Sequence, residues 1–277
     1  MPRLFLRLAF RGTHYHGWQT QAPHLPTVQS TIEDTLARLL GYRTHVHGCG
    51  RTDAGVHATD YTAHVDLREA PPPDFDLVTR LNHVLPDDIA ISDVAHVLAK
   101  AHAQRSAQWR AYRYRVLPHK SPFHQGLAGR YHHHALDVTA MRDVCACIAK
   151  ANSPAARGPS SARGHAKTDS NGLADFRAFC RRPDQYPHTR CRIDACTLTR
   201  APDGLLDFDI RADRFLHNQV RLLVARMLDV GRGVLSLADI RQALDTGVAL
   251  SRKRPAAAEG LYLVGVGYSE EIFVPAP

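Results

Sequence analysis

Residues 60–67, DYTAHVDL, alternate so strictly that Tyr61, Ala63, Val65 and Leu67 share one face of a strand while Asp60, Thr62, His64 and Asp66 share the other. A pattern of that period commits the chain to a sheet with one apolar face. Other segments support the same reading. Residues 2–10 suggest a strand, 43–47 are short and β-compatible, and further strands are expected at 89–97, 192–199, 205–211 and 261–268. In RAYRYRVL at 110–117, Tyr112, Tyr114 and Val116 stand opposite Arg113 and Arg115, which makes this a basic strand.

Helical periods lie between these strands. Val28, Ile32, Leu36 and Leu39 mark a helix over 28–40, with Ser30 and Glu33 matching a capping box. Phe75, Val78, Leu81 and Leu85 mark another near 75–85, which Pro86 ends. A third over 136–150 carries Met141, Val144, Cys145 and Ile148 on its apolar side, and helices follow at about 215–230 and 237–246. Strands recurring in each half with helices between them favour an α+β chain of mainly antiparallel sheet over a long parallel run. At 277 residues there is room for one large or two ordinary domains. The expected division is 1–107, carrying the glycine loop described below, and 108–277. Within the latter, 151–172 (ANSPAARGPSSARGHAKTDSNG) has no period and reads as a mobile insert.

The composition, 44% hydrophobic and 22% charged, is that of a globular chain and excludes fibrous or wholly disordered classes. The N-terminus, MPRLFLRLAF, alternates apolar and basic residues, and no apolar run approaches the roughly 18 residues of a membrane helix. Six cysteines without paired CxxC spacing read as reduced thiols, so a soluble cytoplasmic protein is expected. The formal net charge of +8 suggests a polyanionic partner, of which nucleic acid is the commonest.

The segment GCGRTDAGVHA at 48–58 connects two expected strands. A dinucleotide fingerprint would need glycine where Asp53 stands and a helix next, and both requirements fail. A phosphate loop fails too, because Val56 and His57 replace the lysine and hydroxyl residue that hold phosphate and magnesium. What remains is a carboxylate among small residues, with room for a substrate or backbone to approach closely. Arg51 is suited to orient a phosphate or pair with a carboxylate. On spacing alone, a glycine-rich turn with a solvated aspartate is the commoner reading.

GRTDAGVHA at 50–58 resembles the signature loop of the TruA-type family of tRNA pseudouridine synthases, and other segments match in order. They are GTHYHGWQ (12–19), TVQSTIE (27–33), LNHVLPDDIAI (81–91), SPF (121–123), DFRAF (175–179), FLHNQVR (215–221) and GLYLVGVGY (260–268). The resemblance covers nearly the whole chain. It implies a pseudouridine synthase fold of two α+β domains, with helices on the outer faces of mainly antiparallel sheet and an active-site cleft between the domains. It implies isomerisation of uridine to pseudouridine at positions 38, 39 and 40 of the tRNA anticodon stem-loop by a homodimer, with no metal and no cofactor.

Residue by residue, the resemblance makes Asp53 the essential aspartate, a nucleophile towards sugar or base or a base towards a ribose proton, with the choice open. Tyr112 matches the tyrosine that stacks on the target base and is a candidate for removing the C5 proton, whereas Tyr114 reads as a core aromatic. Arg221 matches the arginine that pairs with the catalytic aspartate; on bare sequence it would be a solvated helix residue. Arg51, which would steady an extruded nucleotide, and Arg110, at the head of the basic strand, are the expected RNA contacts. His132, His133 and His134 are adjacent and would alternate between faces of a strand, so a metal site is not expected there. Arg11, Gln104 and Arg105 depart from the family pattern and leave Asp53, Tyr112 and Arg221 untouched. Two rival readings are a catalytically inactive RNA-binding protein of the same fold and a glycosidase or nucleosidase, which would usually need a second carboxylate; Asp60 is the nearest candidate, though it begins the downstream strand.

Overall fold

The computed structural model describes residues 1–275 apart from 23, 70, 71, 73, 74, 133, 134, 152–172 and 251–253. The expected insert therefore lies outside the described residues except for Ala151, as do His133 and His134. The chain forms two compact units. The first comprises Met1–Arg110 and Tyr262–Pro277, the second Ala111–Leu261. This differs from a division at 107/108 in the destination of the last strand, because Tyr262 and Leu263 pair in parallel with His57 and Ala58 of the first unit.

In the first unit, β1 (Arg3–Phe10) lies between β4 (Ile89–Val97) and β3 (His57–Asp66), antiparallel to both. β2 (Val46–Gly48) pairs with the later half of β3, and β11 (Leu261–Gly267) with its start. Leu4, Leu6 and Leu8 face Val65, Ala63 and Tyr61 across the β1–β3 ladder, and all six are buried. The alternation in β3 is real, but its second face is covered as well: Thr62 is 7% and His64 1% exposed. Part of the cover over His64 comes from His102 and Ala103, too distant in sequence for a local pattern to reveal.

α1 (Val28–Leu40) buries Val28, Ile32 and Leu36, and Gly41 ends it in the left-handed conformation. Its capping box is Thr27 with Ser30, one turn before the expected Ser30–Glu33 pair. Glu33 instead faces β2, accepting from the Val46 N–H at 2.9 Å and pairing with His45 at 2.7 Å. α2 (Leu77–Val84) buries Leu77 and Leu81. Asn82 then clamps β4, accepting from the Ile91 N–H and donating to the Ile91 carbonyl, each at 2.8 Å.

The second unit holds β5 (most of Trp109–Leu117), β10 (Leu206–Ala212) and β9 (Ile193–Arg200) in that order, with β6 (Gly129–Arg130) along β5 and a separate pair β7 (Ala174–Asp175) and β8 (Arg190–Cys191). α3 (Val138–Lys150) begins at its Asp137 cap and packs Met141, Val144, Cys145 and Ile148 inward as expected. α4 (Gln219–Gly231) is buried along most of its length. It starts later than the periodicity suggests because Asn218 sits at φ 59°, the one positive φ among described non-glycine residues. The Gln219 side chain also folds back to accept from the Leu216 N–H at 2.8 Å. α5 (Leu237–Thr246) opens on a Ser236–Asp239 capping box and closes at Gly247.

Candidate active site

The GRTDAG segment is the loop of a hairpin, with Val46, His47 and Gly48 of β2 opposite Val65, His64 and Ala63 of β3. Its backbone is held almost residue by residue. The Cys49 N–H donates to the Thr62 carbonyl at 2.8 Å, Tyr61 Oη donates to the Gly50 carbonyl at 2.5 Å, and the Trp18 N–H donates to the Thr52 carbonyl at 3.2 Å. The Val56 N–H closes a turn on the Asp53 carbonyl at 3.2 Å, and the Gly55 N–H reaches the Tyr15 carbonyl at 3.4 Å. A loop with its backbone groups spent in this way holds its side chains in fixed directions. Arg51 is exposed and Asp53 half-buried, so both remain accessible.

The GTHYHGWQ motif is the scaffold of this loop. Gly17 has φ +88°, and a Cβ there would lie 2.4 Å from the Thr52 carbonyl oxygen, so only glycine lets the two segments approach. His57, directly after the loop, accepts from the Gly12 N–H at 3.1 Å and stacks on Tyr262 with centroids 4.7 Å apart. Tyr15 donates to Asp88 at 2.6 Å, which ties the scaffold to LNHVLPDDIAI. Burial and that carboxylate push the Tyr15 phenol well above its ordinary pKa, so it remains a donor at any working pH. TVQSTIE is structural too: Gln29 accepts from the Thr20 N–H at 3.0 Å and donates to the Val46 carbonyl at 3.1 Å.

Tyr112 and Arg221 belong to the second unit, and FLHNQVR serves both. Phe215 meets the half-buried Tyr112 ring edge-on at 5.0 Å, and Arg221 lies in the first turn of α4. Arg221 donates Nε–H to the Ala256 carbonyl at 2.7 Å, while its own carbonyl accepts from the Ala256 N–H at 3.0 Å. Tyr114 is fully buried, in line with its reading as core. A Cβ on Gly129 would approach its hydroxyl to 2.2 Å and one on Gly260 its ring to 2.5 Å.

The basic strand is not an open cationic surface. Arg113 pairs with Asp209 at 2.8 Å, and Arg115 with Asp203 at 2.5 Å and Asp207 at 3.3 Å. Arg110 is engaged with backbone, donating from Nε and Nη2 to the Cys49 carbonyl at 3.2 and 2.9 Å, and from Nη2 to the Gln104 carbonyl at 2.7 Å.

One cluster escaped the sequence reading: His47, His64 and His102 bring ring nitrogens within 4.8 Å of one another. The only advance signal was the alternation that places His47 and His64 on facing strands. Three histidines so close invite a metal reading, and the hydrogen bonds argue against it. Nδ1 of His64 accepts from the Ala103 N–H at 3.2 Å, and Nδ1 of His102 from the Gln104 N–H at 3.1 Å. Each neutral ring therefore carries its proton on Nε2, the opposite of the tautomer that ligates through Nε2. The rings form a neutral stack, His47 on His64 at 4.7 Å and His64 edge-on to His102 at 4.6 Å. Burial first, then the Arg3 guanidinium, pushes His64 down to about 3 from an ordinary 6.5; His47 and His102 shift down as well, burial again the largest cause.

Residues 169–269 match the family model described as tRNA pseudouridine synthase. The tRNA pseudouridine synthase A of Porphyromonas gingivalis is 36% identical over 99% of this chain and 100% of its own length. The chain belongs to the tRNA pseudouridine synthase A family. Enzymes of that name from Picosynechococcus and Chromobacterium violaceum, each 35% identical, match over 99% of this chain and over 91% and 96% of their own lengths. Similarity over the full length means that the tRNA pseudouridine synthase A relatives align with the segment that carries GRTDAG as well as with the C-terminal motifs. Among the described residues no helix is long and apolar enough to cross a membrane.

Proposed function

We propose that Asp53 is the catalytic carboxylate with which this member of the tRNA pseudouridine synthase A family isomerises uridine to pseudouridine in tRNA. The observation that carries the proposal is the hairpin loop, whose backbone is fixed by Trp18, Tyr15 and Tyr61 while the Asp53 side chain is left half-buried in small surroundings. The reaction breaks the C1′–N1 glycosidic bond, turns the base, forms a C1′–C5 bond, gives the C5 proton to solvent and takes up one proton at the released N1. Atoms and electrons balance without an external oxidant or reductant, so the chemistry calls for positioned acid–base and nucleophilic groups and no redox cofactor.

In this reading Asp53 attacks the target nucleotide or removes a ribose proton, Arg221 keeps it ionised and aimed, and Tyr112 stacks on the base and receives the C5 proton. Tyr112 must pass its phenolic proton on first, since an ordinary phenol titrates near about 10. Arg51 holds the displaced backbone, offsetting the few kcal/mol that extrusion costs. The substrate is the anticodon stem-loop with target uridines at positions 38, 39 and 40, read mainly through RNA shape and phosphates by a cytoplasmic homodimer. Incubating the purified protein with unmodified tRNA transcripts and mapping pseudouridine along the chain tests this. Pseudouridine confined to 38–40 supports it, modification elsewhere refutes the assigned target, and free uracil as product gives the nucleosidase reading instead.

A further inference from the structure

We infer that Arg110 is a positioning residue of the catalytic loop and not an RNA contact, an inference that rests on the reading of Asp53 above. Two donors of its guanidinium converge on the Cys49 carbonyl, at 3.2 and 2.9 Å, and Nη2 also spans to the Gln104 carbonyl at 2.7 Å. These are the directions a rigid planar fork can serve together and a lysine ammonium on a flexible stem cannot. The adjoining carbonyl, Gly50, is held by Tyr61 Oη at 2.5 Å, and Tyr61 in turn stacks on Trp18 at 4.2 Å. Arg110 and Tyr61 thus fix two successive peptide groups at the entry to the loop, four and three residues before Asp53.

Cys49 is fully buried, and the preceding Gly48 lies so closely under Tyr61 and Trp18 that a Cβ there would fall 2.0 Å from Tyr61 Oη, which leaves this stretch tightly enclosed. An error in the Cys49 carbonyl is therefore passed forward towards Arg51 and Asp53. The Gln104 carbonyl is itself well anchored: its residue belongs to the turn in which the Ser106 N–H donates to the His102 carbonyl at 2.9 Å. A cation whose fork is aimed at main-chain carbonyls is placed to set geometry, whereas a phosphate contact would contribute to RNA affinity and its salt dependence.

The test compares wild type, Arg110→Lys, Arg110→Gln, Tyr61→Phe and Arg51→Gln on one unmodified tRNA. Single-turnover rates are measured at saturating enzyme, and Kd for tRNA across a salt series, with thermal melting to establish that each variant is folded. Positioning predicts that Arg110→Gln and Arg110→Lys lose on the order of 10²-fold in rate, the size expected for a displacement of about an ångström. Their Kd and the slope of log K against log salt should match wild type. Tyr61→Phe, which changes no charge, should show the same split to a smaller degree. Arg51→Gln should weaken Kd and reduce the salt slope by about one. A reduced slope and weaker Kd in the Arg110 variants, with or without a loss of rate, would overturn the inference, as would unchanged rates. An inert wild type would overturn the Asp53 reading and this inference together; an active wild type with fully active Arg110 variants overturns this inference alone.

Discussion

Acidification should destabilise the first unit through His64. Its folded-state pKa is pushed down to about 3 from 6.5, by burial above all and by Arg3. The unfolded chain takes up a proton near pH 6.5 that the folded chain refuses until about pH 3, so the stabilisation is complete above 6.5 and is lost as pH falls through that window. Each pH unit in the window is worth about 1.36 kcal/mol, so a drop to pH 4.5 removes about 2–3 kcal/mol. That is a large part of the 5–15 kcal/mol typical of a domain. The downward shifts of His47 and His102 act in the same direction. Urea unfolding followed from pH 8 to pH 4.5 should show this loss in wild type. His64→Asn retains an acceptor for the Ala103 N–H and has nothing to titrate. It should be less stable at pH 8, having lost the stack on His47, with a shallower fall towards pH 4.5. Equal slopes for wild type and variant would refute the assignment.

Gly17→Ala forces a side chain onto the Thr52 carbonyl at a left-handed φ of +88°. Strain of about 1–3 kcal/mol is expected from the backbone, with turnover falling more than tRNA affinity in steady-state and filter-binding assays. Thr27→Ala removes the acceptor for the Ser30 N–H at 3.1 Å and should cost about 1 kcal/mol, read as a lower urea midpoint with unchanged kcat.

How far the sequence revealed all this depended on distance along the chain. Period and punctuation within ten or fifteen residues located β1, α1, α3 and α5 closely, because the apolar set of each fills one face. They misjudged the cap of α1, since Thr27–Ser30 and Ser30–Glu33 both look like capping pairs and only Glu33's engagement with β2 decides between them. The GRTDAG loop was recognisable as chemistry by its motif, yet its scaffold was not: that Gly17, Trp18 and Tyr15 hold it follows from contacts between segments some forty residues apart. The strand pattern shows Arg113 and Arg115 only as a basic face, because the Asp203, Asp207 and Asp209 that pair with them lie about ninety residues further along the chain. The return of Tyr262 to His57 and the burial of His64 were invisible for the same reason.

The central claim is that Asp53 carries the reaction. Release of tritium from tRNA labelled at C5 of uridine reports loss of the C5 proton directly. Wild type should release tritium from unmodified tRNA without added metal, and Asp53→Ala should fall to background while its Kd for the same tRNA stays within about threefold, as expected where phosphate contacts supply most of the affinity. Release by Asp53→Ala at a rate near that of wild type, or none from wild type itself, would contradict the account.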